Sequence, residues 1–271
     1  MGSLAPQQLD VARELVRYGR ELAQSGAAQV GATFTDDSRA DALIKRNPNA
    51  FLIGVLFTQG IPAERAWVGP FLLAQRLGGF DLAMLARDTA AVRAAFQQPP
   101  MLHRFKETLP RWISSAAQRL LDEYAGDASR IWADGSHVIE VTQRLAAFDG
   151  IGRKKAAMAV EIVMRHFGAK LAGIECGSVA YDVHVRRVFL RSGLVADDTP
   201  DAVVEAAALA CPEAPGTLDL PTWLIGRETC RPKSPRCDAC RIGDVCARMT
   251  WLDAKGVGHR ESPNPAAVSR S

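Results

Sequence analysis

Phe148-Asp149-Gly150-Ile151-Gly152-Arg153-Lys154 lies between two segments of helical periodicity. Before it, Ser136 is placed to cap a helix on which Val138, Ile139 and Leu145 share one side. After it, Ala159, Val160, Val163, Met164 and Phe167 form the apolar side of a second helix, which Gly168 can end. The pattern predicts helix, tight hairpin, helix. Gly150 and Gly152 permit positive φ and put no side chain in the way, so backbone N–H groups beside a helix N-terminus can meet a phosphate. The hairpin is a candidate clamp for a DNA backbone. A glycine-x-glycine turn also occurs simply packed between helices, and these residues alone leave both readings open.

Outward from the hairpin the chain reads as helices. Val11, Leu15, Tyr18 and Leu22 recur at helical spacing before Gly26, and residues 26–36 read as a linker. Asp41 to Arg46 is a short helical piece, and Asn47 caps the next helix with Pro48 at its first position. That helix, Phe51 to Gln59, is apolar on all sides and so is expected to be buried, with its polar end surfacing at Thr58-Gln59. Further short helices are expected at Ala63–Val68, Phe71–Leu77, Leu82–Ala86, Ala90–Phe96 and Leu109–Tyr124, with Gly69-Pro70, Gly78-Gly79 and Pro99-Pro100 as breaks. Trp67, Trp112 and Trp132 fit core or edge positions better than base-stacking platforms. Beyond the hairpin, Asp182 is a good N-cap for a helix carrying Val185, Val188 and Phe189, with Arg186, Arg187 and Arg191 off its apolar stripe. Thr199-Pro200 opens a helix to Ala210, and another runs from Pro221 to Thr229. No stretch alternates with period two, so the fold class is all-α.

The 271 residues carry a formal net charge of only +3, so any DNA-binding face must be local. With nearly half of the side chains apolar, the chain can bury a real core as one medium domain or two small interlocked ones. No leader-like N-terminus is present and the longest apolar run is too short to span a bilayer, so a soluble intracellular protein without membrane partners is expected; it is also expected to be a monomer. In a bacterium it would be cytoplasmic and associated with the nucleoid.

Four of the six cysteines, Cys230, Cys237, Cys240 and Cys246, fall in one short loop, separated by six, two and five residues. Such clustering points to a metal centre and away from a disulfide framework. Thiolates suit zinc and iron–sulfur centres alike, and spacing alone does not choose. Arg231, Lys233 and Arg236 stand in the first interval without an acid, either to meet a phosphate backbone or to offset a negative cluster.

Together the hairpin, the Asp182-Val183-His184 motif and the cysteine spacing resemble the endonuclease III class of the helix-hairpin-helix DNA glycosylase superfamily, over roughly residues 45–248. The resemblance implies a six-helix barrel over residues 40–168 that ends in the hairpin, and a cluster-bearing lobe from residues 1–39 and 169–250. A DNA cleft would lie between the two lobes, and a disordered tail is expected over 251–271. It implies a 4Fe-4S cluster on the four cysteines and double-stranded DNA with a damaged base as partner. Lys154 takes the place of the catalytic lysine, Asp182 that of the catalytic aspartate, and Gln59 that of the residue filling the gap left by the extruded base. Gly150, Gly152, Arg153 and Lys155 would contact the backbone.

Cutting an N-glycosidic bond requires the base to leave the stack and an amine to reach C1′. Lys154, near the positive end of a helix dipole and partly desolvated, is the expected nucleophile. The resulting imine allows β-elimination at the 3′ phosphate, with Asp182 stabilising charge and moving a proton. The expected function is a bifunctional base-excision-repair glycosylase and abasic-site lyase acting on oxidised pyrimidines. The alternatives are a non-catalytic helix-hairpin-helix DNA-binding protein and a monofunctional glycosylase of other specificity. The chain departs from the family in Phe148-Asp149, which replaces Leu-Pro, and in an insertion over Leu171–Ala180. It also lacks a histidine in Ile225-Gly226-Arg227-Glu228.

Overall fold

The computed structural model describes residues 3–24, 34–249, 251–252 and 258–259 of the chain. Among them the protein is all-α, apart from Trp251–Leu252 paired antiparallel with Gly258–His259. The rest of the tail expected to be disordered, and residues 25–33 of the expected linker, lie outside the described residues. Two compact units divide the chain, one over residues 27–173 and the other from residues 1–26 and 174–271. No described helix is long and apolar enough to cross a membrane.

Helix α1 (Pro6–Gln24) opens the chain and belongs to the second of these units. The unit over 27–173 holds α2 (Ser38–Arg46), α3 (Pro48–Phe57), α4 (Ala63–Leu77), α5 (Leu82–Arg87), α6 (Thr89–Gln97), α7 (Thr108–Tyr124), α8 (Val138–Ala146) and α9 (Arg153–His166). Its centre is α3. The Asn47 side chain accepts from Asn49 N and Ala50 N, and Pro48 begins the helix where its missing N–H is not needed. Every residue from Ala50 to Phe57 is buried. Phe51 lies 5.8 Å from both Trp67 and Trp132 and 5.1 Å from Phe167, so one helix gathers rings from three others or their ends. Each such side chain contributes about 1.5–3 kcal/mol on leaving water.

Gly69-Pro70 does not break the chain, because α4 runs through it with both residues buried. The proline removes one helical hydrogen bond, and a Cβ on Gly69 would stand 2.2 Å from the Phe57 ring, so this pair lets α4 lie close on α3. The cap of α8 is not Ser136 but His137, whose Nδ1 accepts from Ile139 N at 3.3 Å. Its inner face is Val138, Val141 and Leu145, while Ile139 is exposed.

The second unit packs α1 with α10 (Val185–Ser192), α11 (Pro200–Ala210) and α12 (Asp219–Glu228) around Val11, Leu15, Phe189, Val203 and Ile225. Thr199 caps α11 through Ala202 N. The segment read as an insertion is anchored at its start: Ala172 N donates to Ser136 O and Val138 N to Ala172 O, so residues 170–173 lie against the entry to α8.

Candidate functional site

The hairpin turn between α8 and α9 is fastened to α7. Phe148 is buried, its ring 6.1 Å from Tyr124, and the Arg119 guanidinium lies over the Phe148 ring at 5.2 Å from its centroid. Arg119 also donates to Ala147 O, and the Asp149 carboxylate accepts from Ser115 Oγ at 3.2 Å. Phe148-Asp149 therefore supplies the anchorage at this departure from the family pattern. Gly150 has φ +81°, and a Cβ there would stand 2.4 Å from the Trp112 ring, so backbone and packing both require glycine. Gly152 differs from expectation. Its φ is −88°, and its lack of a side chain instead leaves open space in front of α9. The N-cap, Gly152, has no side chain with which to cap α9, and the positive end of the helix dipole lies at this start.

Arg153 and Lys154 occupy the first turn of α9 and are exposed, so Lys154 does stand at a helix start but is not desolvated. Lys155 is the buried one. It is 6% exposed, donates from Nζ to Leu56 O at 3.1 Å, and its ammonium is pushed down to about 8 by burial, with Lys154 adding repulsion. That placement turns it inward and replaces the expected phosphate contact. Gln59 follows the end of α3 in a half-buried turn. Gly60, with φ +68°, rests there on the Arg104 guanidinium and the Phe105 ring.

In the other unit Asp182 caps the start of α10. Its Oδ1 accepts from His184 N at 2.8 Å and Val185 N at 2.7 Å, leaving the other oxygen outside this cap. Flanking residues are clamped by Asp198, which accepts from Tyr181 Oη at 2.6 Å and Arg186 Nε at 2.8 Å and pairs a second time with Arg186. The Arg186 guanidinium, ahead of the Tyr181 hydroxyl, holds Asp198 below the usual carboxylate range. His184 packs against Gly226 of α12, where a Cβ would lie 2.7 Å from its own. The glycine in Ile225-Gly226-Arg227-Glu228 thus makes room for the loop that carries Asp182.

The four loop cysteines, Cys230, Cys237, Cys240 and Cys246, line one cavity with Arg191, Ile225 and Ile242. Two arginines of α10 hold the loop. Arg187 donates to Cys230 O and Gly226 O, both at 2.6 Å, and Arg191 donates to Arg231 O at 2.6 Å and Pro232 O at 3.0 Å. Burial pushes the Cys230 thiol up against the pull of Arg191 and Arg187, and burial raises Cys246 to about 11. Arg191 is buried and its Nε has no hydrogen-bond partner, which suits an anionic group in the cavity. Among the described residues no three His, Cys, Asp or Glu side chains are arranged to hold a single metal ion. A lone zinc draws four ligands to ~2.3 Å of one point, whereas a 4Fe-4S cluster takes its four thiolates on different irons. Four thiols ranged around one cavity are a soft donor set that suits zinc or an iron–sulfur cluster. Arg231 and Arg236 are exposed and both donate to Glu228 O, at 3.2 and 2.8 Å, which orients them over the end of α12; Lys233 is exposed.

No protein-family profile matches the chain. Sequence comparison finds proteins named endonuclease III: 28% identity over 123 residues with that of Thermotoga maritima, covering 44% of this chain and 53% of the relative. With the Haemophilus influenzae protein it is 32% over 111 residues, covering 40% and 47%, and with the Rickettsia conorii protein 34% over 104, covering 38% and 44%. The chain resembles the endonuclease III class. It spans about half the length of the endonuclease III sequences it matches. Among solved structures, an endonuclease III–DNA covalent intermediate aligns over 75% of this chain and 84% of its own, at 22% identity and a TM-score of 0.52. A thermostable thymine-DNA glycosylase aligns over 87% and 96%, at 14% identity and a TM-score of 0.58. At these identities the alignments establish a shared helical fold.

Reading by residue type missed four features of this site: the inward turn of Lys155, the buried His103 beside it, the Asp198 clamp, and the two arginines under the cysteine loop. Only the off-stripe placement of Arg187 and Arg191 hinted at the last.

Proposed function

We propose that the protein is a base-excision-repair DNA glycosylase that also cleaves at abasic sites through a lysine imine. The observation that carries the reading is the uncapped start of α9, reached through the Gly150 turn, with Lys154 exposed at its second position. Backbone N–H groups there, together with Arg153, would take a phosphate, while Lys154 attacks C1′ and expels the base. Asp182, held by the backbone at the start of α10, would stabilise the sugar cation and move the proton that β-elimination requires. Gln59 would fill the gap in the duplex, and Arg231, Lys233 and Arg236 would meet the backbone from the cysteine loop. A 4Fe-4S cluster on Cys230, Cys237, Cys240 and Cys246, when bound, would give that loop its rigidity.

The endonuclease III names of the sequence relatives support the class. Oxidised pyrimidines are the proposed substrates. A helix-hairpin-helix protein without catalysis would also bind DNA in a salt-sensitive way. Lys154→Ala separates the two readings: it abolishes strand cleavage at an abasic site and leaves duplex binding within a few-fold on the enzyme reading. A wild-type protein that binds but never cleaves leaves the binding module standing.

A further inference from the structure

Lys155 is a buried basic residue that has no acidic partner among the described residues. Its Nζ reaches Leu56 O in the last turn of α3, a helix that has no titratable side chain and is apolar and buried from Ala50 to Phe57. From the loop after α6 the group facing it is His103, 2% exposed, whose ring lies 6.0 Å from Phe57 and 5.4 Å from Phe105. His103 Nδ1 accepts from Phe105 N, its Nε2 has no hydrogen-bond partner, and burial together with Arg104 and Lys155 pushes it down against the pull of the Phe57 and Gln59 backbone. On its own helix the neighbour is Lys154. A buried cation without an acid disfavours folding, and an apolar side chain would suit the space better. What the ammonium supplies is a partner for a carbonyl at the negative end of α3, which the helix itself cannot satisfy.

That bond joins two places the proposed function uses. Leu56 lies three residues before Gln59, and Lys155 directly follows Lys154. We propose that Lys155 is a positioning residue, locking the first turn of α9, with Lys154, to the end of α3, with Gln59. The inference rests on the glycosylase reading for its purpose but not for its geometry. It assigns the Lys154-Lys155 pair two distinct tasks: the exposed amine faces DNA, and the buried one fixes the distance between nucleophile and wedge.

The test uses the full chain as isolated, with Lys155→Met, which removes donor and charge, and Lys155→Gln, which keeps a donor. Single-turnover cleavage of an abasic-site duplex, its affinity as a function of salt, and amide hydrogen exchange at residues 57–60 and 153–157 are compared. Lys155→Met is expected to slow cleavage at least tenfold and speed exchange in both segments, with affinity within twofold and the salt slope unchanged. Lys155→Gln should recover the rate to within about threefold. The wild-type rate should bend near pH 8, where the buried ammonium loses its proton, and the bend should be missing in Lys155→Met. A weaker affinity with a salt slope lower by about one would make Lys155 a phosphate contact and overturn the proposal. So would a Lys155→Met protein with wild-type rate and exchange. If the wild type cleaves no duplex, the glycosylase reading fails on its own, and the exchange comparison still decides whether Lys155 locks the two segments.

Discussion

The buried ammonium of Lys155 makes the stability of this protein depend on alkaline pH in a calculable way. Its pKa falls from 10.5 in the unfolded chain to about 8 in the fold, which at ~1.4 kcal/mol per unit is about 3 kcal/mol. The unfolded chain holds the proton more tightly, so the stability associated with this group is fully present above pH 10.5 and is lost as pH falls through 8. At pH 7 nearly the whole penalty applies, while at pH 9.5 roughly 2 kcal/mol of it has been relieved. Lys155→Met lacks this titration. It also leaves Leu56 O unpaired, at a cost of about 1–3 kcal/mol, so the two proteins should differ little at pH 7. The discriminating quantity is the change in that difference: between pH 7 and 9.5 the wild type should gain about 2 kcal/mol relative to Lys155→Met. Anaerobic urea unfolding of both proteins at both pH values measures it, and groups common to the two cancel. A difference that stays constant within about 0.5 kcal/mol would refute a buried, depressed ammonium at this position.

Gly150→Ala should cost about 2–4 kcal/mol, because it places a side chain at φ +81° and drives a Cβ into the Trp112 ring. Thermal unfolding and loss of duplex binding report it, whereas Gly152→Ala, with open space around its Cβ, should unfold as the wild type does. Elemental analysis of anaerobically purified protein should find iron in the cysteine loop; zinc at full occupancy would overturn the cluster assignment.

Local chemistry explains what the sequence made legible. Asn47-Pro48 and Thr199-Pro200 start helices because cap and proline act within one turn, and Phe51–Phe57 is buried because no face of it is polar. Gly69-Pro70 signals a break by its composition, while the Phe57 ring pressed against Gly69 favours a continuous helix. Ser136 is the better intrinsic cap for α8, yet His137 holds that place because backbone bonds from residues 135–138 to 170–172 set where the chain enters the helix. At the site, the Gly150 turn and the cysteine spacing are readable because each is short and chemically specific. Lys155, Arg187 and Arg191 are not. A lysine or arginine is by default a solvent residue, and only the packing of α3, α9, α10 and the cysteine loop turns these three inward or onto carbonyls.

Borohydride trapping reads directly the covalent imine proposed between Lys154 and a sugar in DNA. With wild-type protein, reduction should yield a stable protein–DNA adduct on a duplex carrying an abasic site and on at least one carrying thymine glycol or dihydrouracil. The adduct should be absent with Lys154→Ala and should form far more slowly with Asp182→Asn. No adduct on any duplex, or an adduct that persists undiminished in Lys154→Ala, would contradict the account.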